Sequence, residues 1–208
     1  MSLDTLISTF VTLLLVVDPL GLVPPFVAVT EGLPAKARRQ VAARASLIAA
    51  VVLAGAAIGG DWLFRMVGIS LPAFRIAGGL LLFSIASEMV LGVRIERQSK
   101  AAEQAIEEHV RNIAAFPLAV PLMAGPGAIT ATVLLAGRAG GHAAALALLM
   151  GVICVVVAIC YAAFMAAGRI AKALGITGNV VLSRLLGVLL AALAVQYVID
   201  GIRAVLAG

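Results

Sequence analysis

Apolar residues in this chain fall in long unbroken runs, with polar residues confined to short stretches between them. Six runs can be marked, at about 5–29, 41–63, 67–92, 113–136, 143–167 and 182–206. In lipid every backbone polar group must be satisfied within its own segment, so an apolar run of about 20 residues reads as a spanning helix. The pattern predicts an all-α membrane protein with six transmembrane helices. The runs take up most of the chain and leave no room for a separate soluble domain. The start Met1-Ser2-Leu3-Asp4 has no basic n-region, and the first run outlasts a signal-peptide core, so it is expected to be helix one.

Two of the six runs are interrupted. Helix one contains Asp18-Pro19-Leu20-Gly21 and then Pro24-Pro25. Pro19 removes a backbone donor and clashes with the preceding turn, while Gly21 loosens the chain, so the helix should unwind near its middle. Asp18 lies close to the midpoint of the run, where an ionised carboxylate is costly unless it is paired or faces water. Helix four carries Pro117, Pro121 and Gly125-Pro126-Gly127-Ala128, followed by Thr130 and Thr132. A half-helix beginning after such a break presents N–H groups and a positive dipole end that suit a carboxylate, and freed carbonyls suit an ammonium or a coupling cation. Asp18, Pro19, Gly21, Gly125, Pro126, Gly127, Thr130 and Thr132 are therefore the candidate binding residues for a small zwitterion. A single proline kink is explained as well by packing. Two kinked regions at matching positions, one with a midplane acid, point to a binding site.

The matching positions reflect an internal duplication. An offset of 109 aligns Arg75-Ile76-Ala77-Gly78-Gly79-Leu80-Leu81 with Arg184-Leu185-Leu186-Gly187-Val188-Leu189-Leu190, and also Arg94 with Arg203. An offset of 107 aligns Pro19 with Pro126. Each half then holds three helices, an odd number, so the second copy enters the membrane from the opposite side. The expected organisation is a first repeat at 1–92, a connecting loop at 93–112 and a second repeat at 113–208, with discontinuous first and fourth helices. Inverted repeats of this kind are typical of secondary transporters.

Helices three and six carry further charges. Arg75 and Glu88 are about 20 Å apart along one helix, and Arg184 and Asp200 about 24 Å apart along the other. If the two helices run antiparallel, Arg75 is level with Asp200 and Glu88 with Arg184. Two interhelical ion pairs, one near each face, would act as gates; the plainer alternative is four side chains snorkelling to the interfaces. Gly78, Gly79 and Gly187 allow close helix approach.

Composition sharpens this picture. Charged residues make up 12% of the chain and hydrophobic ones 63%, whereas a soluble domain carries about 25% charged residues. The net charge of +5 does not indicate nucleic acid, because aromatics are only 5% and no basic face interleaves with them. The basic residues divide by side: 11 of the 15 fall in 30–44, 93–112 and 168–184, which the positive-inside rule assigns to the cytoplasm, with both termini outside. Cys154 and Cys160 are expected to be apolar fillers of helix five, not a disulfide. No nucleophile triad, phosphate loop or metal-ligand spacing is present, so neither an enzyme nor a bound metal or other cofactor is expected, beyond a coupling proton or cation. The sequence leaves the oligomeric state open.

Several of these segments resemble the MarC family of integral membrane proteins. The resemblance lies in Asp18-Pro19-Leu20-Gly21 with Pro24, in Phe74-Arg75-Ile76-Ala77-Gly78-Gly79, and in Pro117-Leu118-Ala119-Val120-Pro121 leading into Ala124-Gly125-Pro126-Gly127-Ala128-Ile129. It continues in Ser183-Arg184-Leu185-Leu186-Gly187 and Val195-Gln196-Tyr197-Val198-Ile199-Asp200-Gly201-Ile202. It implies six helices in a bacterial inner (plasma) membrane and movement of small neutral amino acids such as glycine and alanine. One departure is Leu22, where many members carry an asparagine. The function expected is a secondary transporter working by alternating access. A passive channel, or a membrane-embedded module without transport of its own, is the alternative.

Overall fold

The computed structural model describes residues 3–94, 96–98, 114–138 and 142–207. Most of the expected connection at 93–112 lies outside the described residues. Every element within them is helical: α1 (Leu3–Val17), α2 (Val23–Val29), α3 (Ala35–Val67), α4 (Leu71–Leu91), α5 (Ala114–Met123), α6 (Pro126–Arg138), α7 (Ala143–Met165) and α8 (Ala167–Leu206). Four segments are long and apolar enough to cross a bilayer: Ala35–Gly60, Leu71–Leu91, Ala143–Met165 and Thr177–Leu206. A fifth is obtained if Pro117–Met123 and Pro126–Gly137, bent by 56° at their junction, count as one span. The run at 5–29 is divided between α1, 15 residues long, and α2, 7 residues long.

Local sequence accounts for the boundaries. Ser70 caps α4 by accepting from the Ala73 N–H at 3.3 Å, with Pro72 in the first turn, and Gly92 ends the helix at φ 82°. Two segments expected as loops are largely helical. At 30–44 the run Ala35-Lys36-Ala37-Arg38-Arg39-Gln40 consists of strong helix formers and extends α3 outward. At 168–184 the chain is helical on both sides of Gly175, whose φ of 61° and ψ of −176° break α8. That backbone region is essentially open to glycine alone. Gly175→Ala is expected to destabilise the protein by about 1–3 kcal/mol, seen as a lower thermal midpoint in detergent.

The outward faces are apolar. Leu47, Val51 and Ile58 on α3, Leu80 and Leu81 on α4, and Leu185, Val188 and Leu189 on α8 are all more than half exposed, as a lipid-facing surface requires. The inward faces meet through small residues. A methyl group at Gly79 would stand 2.8 Å from the Ala194 carbonyl oxygen, and one at Gly187 would stand 2.8 Å from Met89 Cβ. Near the far end of α8, Gly201 lies against Pro72 and Ile76. These contacts run in opposite order along the two helices, so α4 and α8 are antiparallel and packed backbone to backbone. Gly78 faces Thr130 and Leu134 of α6. On the other flank, Phe26 stacks on Phe164 with ring centroids 4.3 Å apart, fastening α2 to α7. Cys160 is buried and Cys154 exposed on α7, and both are free thiols.

Candidate functional site

The first break follows from two adjacent residues. A residue before proline is disfavoured in the α region, so α1 cannot continue through position 18. Asp18 takes φ 54° instead, a left-handed conformation that Asp and Asn tolerate better than most residues. Its carboxylate Oδ1 accepts from the Gly21 N–H at 3.1 Å, which closes the turn. A side chain at position 21 would run into the Asp18 carboxylate. Asp18 is 2% exposed, and Pro19 and Gly21 are also buried.

The second break has a different local cause. Pro117 and Pro121 each remove a donor from α5, which is wound wider than an α-helix, and its end is marked by an Ala124 N–H to Ala119 carbonyl bond of 2.8 Å. The chain turns at Gly125, where a side chain would meet the Pro121 carbonyl, and α6 starts at Pro126. Pro126 has no N–H, and the Gly127 and Ala128 amides belong to the first turn, which has no intrahelical acceptors. The first helical bond there runs from Ile129 N–H to the Gly125 carbonyl at 3.0 Å.

Arg94 joins the two breaks. It is 6% exposed, and its Nη2 donates to the Val16 carbonyl at 2.8 Å, capping the negative end of α1. Its Nη1 lies 3.2 Å from the Met89 sulfur. The Asp18 carboxylate and this guanidinium also attract each other electrostatically. Beside Arg94 lies a cavity of about 320 Å³ whose walls come from α1 (Val16), α4 (Ile85), the turn after it (Arg94, Arg97, Gln98), and the second break from Pro121 to Ala128. Gln98 is 4% exposed. Arg97 is held at the surface by a 2.8 Å ion pair with Glu88.

The candidate binding residues thus separate into two groups. Gly125, Pro126 and Gly127 line the cavity. Asp18, Pro19 and Gly21 form the turn behind it and are not in its wall, the carboxylate being directed at its own backbone. Thr130 and Thr132 lie beyond the first residues of α6 and do not reach the cavity. Thr130 packs toward Gly78 and a second, apolar crevice, and Thr132 is fully buried with its hydroxyl unpartnered among the described residues.

The expected gate pairs are not formed by these side chains. Glu88 pairs with Arg97 instead of Arg184, and its second oxygen has no hydrogen-bond partner among the described residues. The Arg184 guanidinium lies beside Gly92, past the end of α4. Arg75 and Asp200 are level, as the antiparallel packing requires, yet Asp200 accepts from Gln196 on its own helix at 2.7 Å, and Arg75 Nε is buried without a hydrogen-bond partner among the described residues. A neighbour one helical turn away reaches a carboxylate more easily than an arm across the interface.

Arg94 and Gln98 were missed in the sequence because they sit among the charges of a polar connection and read as solvated. The one signal that singled out Arg94 was its match with Arg203 in the duplication.

The family model for MarC family integral membrane proteins matches residues 3–206. A UPF0056 membrane protein of Methanocaldococcus jannaschii is 35% identical over 99% of this chain and 100% of its own length. Relatives given the same UPF0056 designation include one in Aquifex aeolicus, 37% identical over 95% of this chain and 92% of its own, and YhcE of Escherichia coli, 34% identical over 96% and 92%. No solved structure matches the chain. With near full-length agreement on both counts, the chain belongs to the MarC family of integral membrane proteins.

Proposed function

We propose that this protein is a secondary transporter of small neutral amino acids of the glycine and alanine type, working by alternating access. The observation that carries the reading is the cavity beside Pro126, where a buried arginine, a buried amide and the start of a half-helix meet inside an apolar membrane protein. Its volume of about 320 Å³ is at the low end of ligand pockets, which run from about 300 to 1,000 Å³, and so favours a small solute. Polar groups of this kind are expensive in a membrane interior and are characteristic of solute pathways.

In this reading α1–α4 and α5–α8 are the two inverted three-helix repeats, each opening with a broken helix. The protein lies in the inner (plasma) membrane with both termini outside. Its polar connections are cytoplasmic, and removing the buried Arg94 from the charge comparison leaves the bias on the same side. Asp18 acts as proton acceptor and as the electrostatic partner of Arg94. Through Arg94 it couples the first break to the cavity formed by the second. Arg75, Asp200, Glu88 and Arg184 are charges whose partners change when the helices shift, so that the Glu88–Arg97 pair belongs to one conformation of the cycle.

Uptake of labelled glycine, alanine and serine into proteoliposomes tests the proposal. Saturable uptake of at least one, suppressed by excess of the unlabelled compound, is the expected outcome. Absence of saturable uptake for all three would remove the amino acid assignment.

A further inference from the structure

The polar groups around the cavity are not balanced between donors and acceptors. Arg94 and Arg97 carry only donors, and a guanidinium has five of them. Two of the Arg94 N–H groups are directed at Val16 and Met89. The Gly127 and Ala128 amides face outward from the start of α6, a helix of 13 residues, while the Gly125 carbonyl is already taken by Ile129. Gln98 is the independent sign that a ligand belongs here. It lines the cavity at 4% exposure, and its side-chain amide makes no hydrogen bond among the described residues. An amide in the cavity wall with no hydrogen bond to the described residues is available to whatever the cavity holds. Among the described residues no acidic side chain lines the cavity: Asp18 is turned to Gly21, and Glu88 is held by Arg97 outside the wall.

We infer that this cavity is a receptor for a carboxylate group, held by Arg94, Gln98 and the first amides of α6, and that it takes small monocarboxylates whether or not they carry an ammonium group. The inference rests on the transporter reading for treating this cavity as the solute site. It changes the substrate class, because a described wall whose charged groups are both cationic recognises the acid end of an amino acid and leaves the ammonium end to water or to a later step. An acceptor-only carboxylate is the complement of such a wall, with charge-assisted hydrogen bonds to the guanidinium and the dipole end of α6 adding to each other. Glycinamide, with the same amine and similar size but an uncharged carbonyl in place of the carboxylate, binds more weakly for want of charge-assisted hydrogen bonds.

The test is the thermal midpoint of the full-length protein in detergent, titrated with sodium acetate, sodium propanoate, glycine or glycinamide hydrochloride against sodium chloride at matched ionic strength. Acetate and glycine are expected to bind within about fivefold of each other, and glycinamide at least about tenfold more weakly. Gln98→Glu removes no existing hydrogen bond and places a negative charge against the incoming carboxylate. It is expected to weaken acetate and glycine by at least about tenfold, and Gln98→Ala by a smaller factor. Equal binding of glycine and glycinamide, or unchanged acetate binding in Gln98→Glu, would overturn the inference. Glycine binding without acetate binding overturns it and leaves the amino acid transporter standing. Acetate binding without glycine binding overturns the amino acid assignment and, with it, the claim that the ammonium group is tolerated, and a response to none of the four overturns both readings.

Discussion

Replacing Asp18 by asparagine is expected to lower solute uptake by at least about tenfold in a protein that inserts and folds normally, a loss equivalent to about 1.4 kcal/mol of barrier. Asparagine is the informative substitution because it keeps everything but the charge. It tolerates the left-handed φ of 54° that position 18 adopts, and its amide oxygen can accept from the Gly21 N–H as the carboxylate does. The turn that stops α1 therefore persists. What disappears is the negative charge facing Arg94 and the capacity to take up a proton. Uptake at the wild-type rate, with unchanged expression, would remove Asp18 from the mechanism and leave it as a turn residue only.

The largest loss of stability is expected from Gly79→Leu. A Cβ at this position would stand 2.8 Å from the Ala194 carbonyl oxygen, 3.1 Å from the Val198 nitrogen and 2.7 Å from Val198 Cγ2. Two of those three atoms are backbone and cannot turn aside, so α4 and α8 must separate along the surface that Gly187 and Gly201 also keep close. Overpacking of this kind costs about 1–3 kcal/mol even where side chains can adjust, and more is expected where a backbone blocks the way. Gly151→Leu on α7 is the control, because that glycine is exposed and has nothing within 4 Å. A thermal midpoint clearly lowered by Gly79→Leu and nearly unchanged by Gly151→Leu is the expected pair of results. Equal midpoints would show that the α4–α8 contact does not depend on glycine.

The helical membrane character of the chain could be read from the run lengths alone, because burying backbone in lipid leaves a sequence few other choices. Both helix breaks were legible for a similar reason. Pro19 and Pro126 act locally, through a missing donor and a restricted neighbour, and local effects survive whatever the tertiary structure does. The glycine contacts between α4 and α8 were foreseeable at Gly79 and Gly187, because small residues let membrane helices approach closely. Side-chain partnerships were not legible. Glu88 was expected to cross to Arg184 and instead meets Arg97, which lies in the connection whose course the sequence does not specify. Asp200 was expected to cross to Arg75, and Gln196 reaches it first from the same helix.

The polar connection was the least legible part. Charge counting treats each arginine in a loop as solvated, so Arg94 contributed to a prediction of sidedness while its guanidinium is buried against α1. Nothing in its local composition distinguishes it from Arg97, which is largely exposed three residues later. Only the end of α4 at Gly92 turns the chain back over the first break, and that turn is a property of the assembled helices. The threonines show the opposite error. Thr130 and Thr132 are close in sequence to the break at Pro126, but a helix carries successive residues around its axis at about 100° each, and these two face neighbours other than the cavity.

Counterflow tests the central claim most directly. Proteoliposomes loaded with unlabelled alanine and diluted into a trace of labelled alanine should accumulate label transiently above the external concentration, with little accumulation in empty vesicles. That overshoot requires a site exposed to one side at a time, as a carrier with its solute cavity between two broken helices provides. Equilibration of label at the same rate with and without internal alanine would contradict the account and identify an open pore, and no entry above protein-free vesicles would contradict transport of this solute altogether.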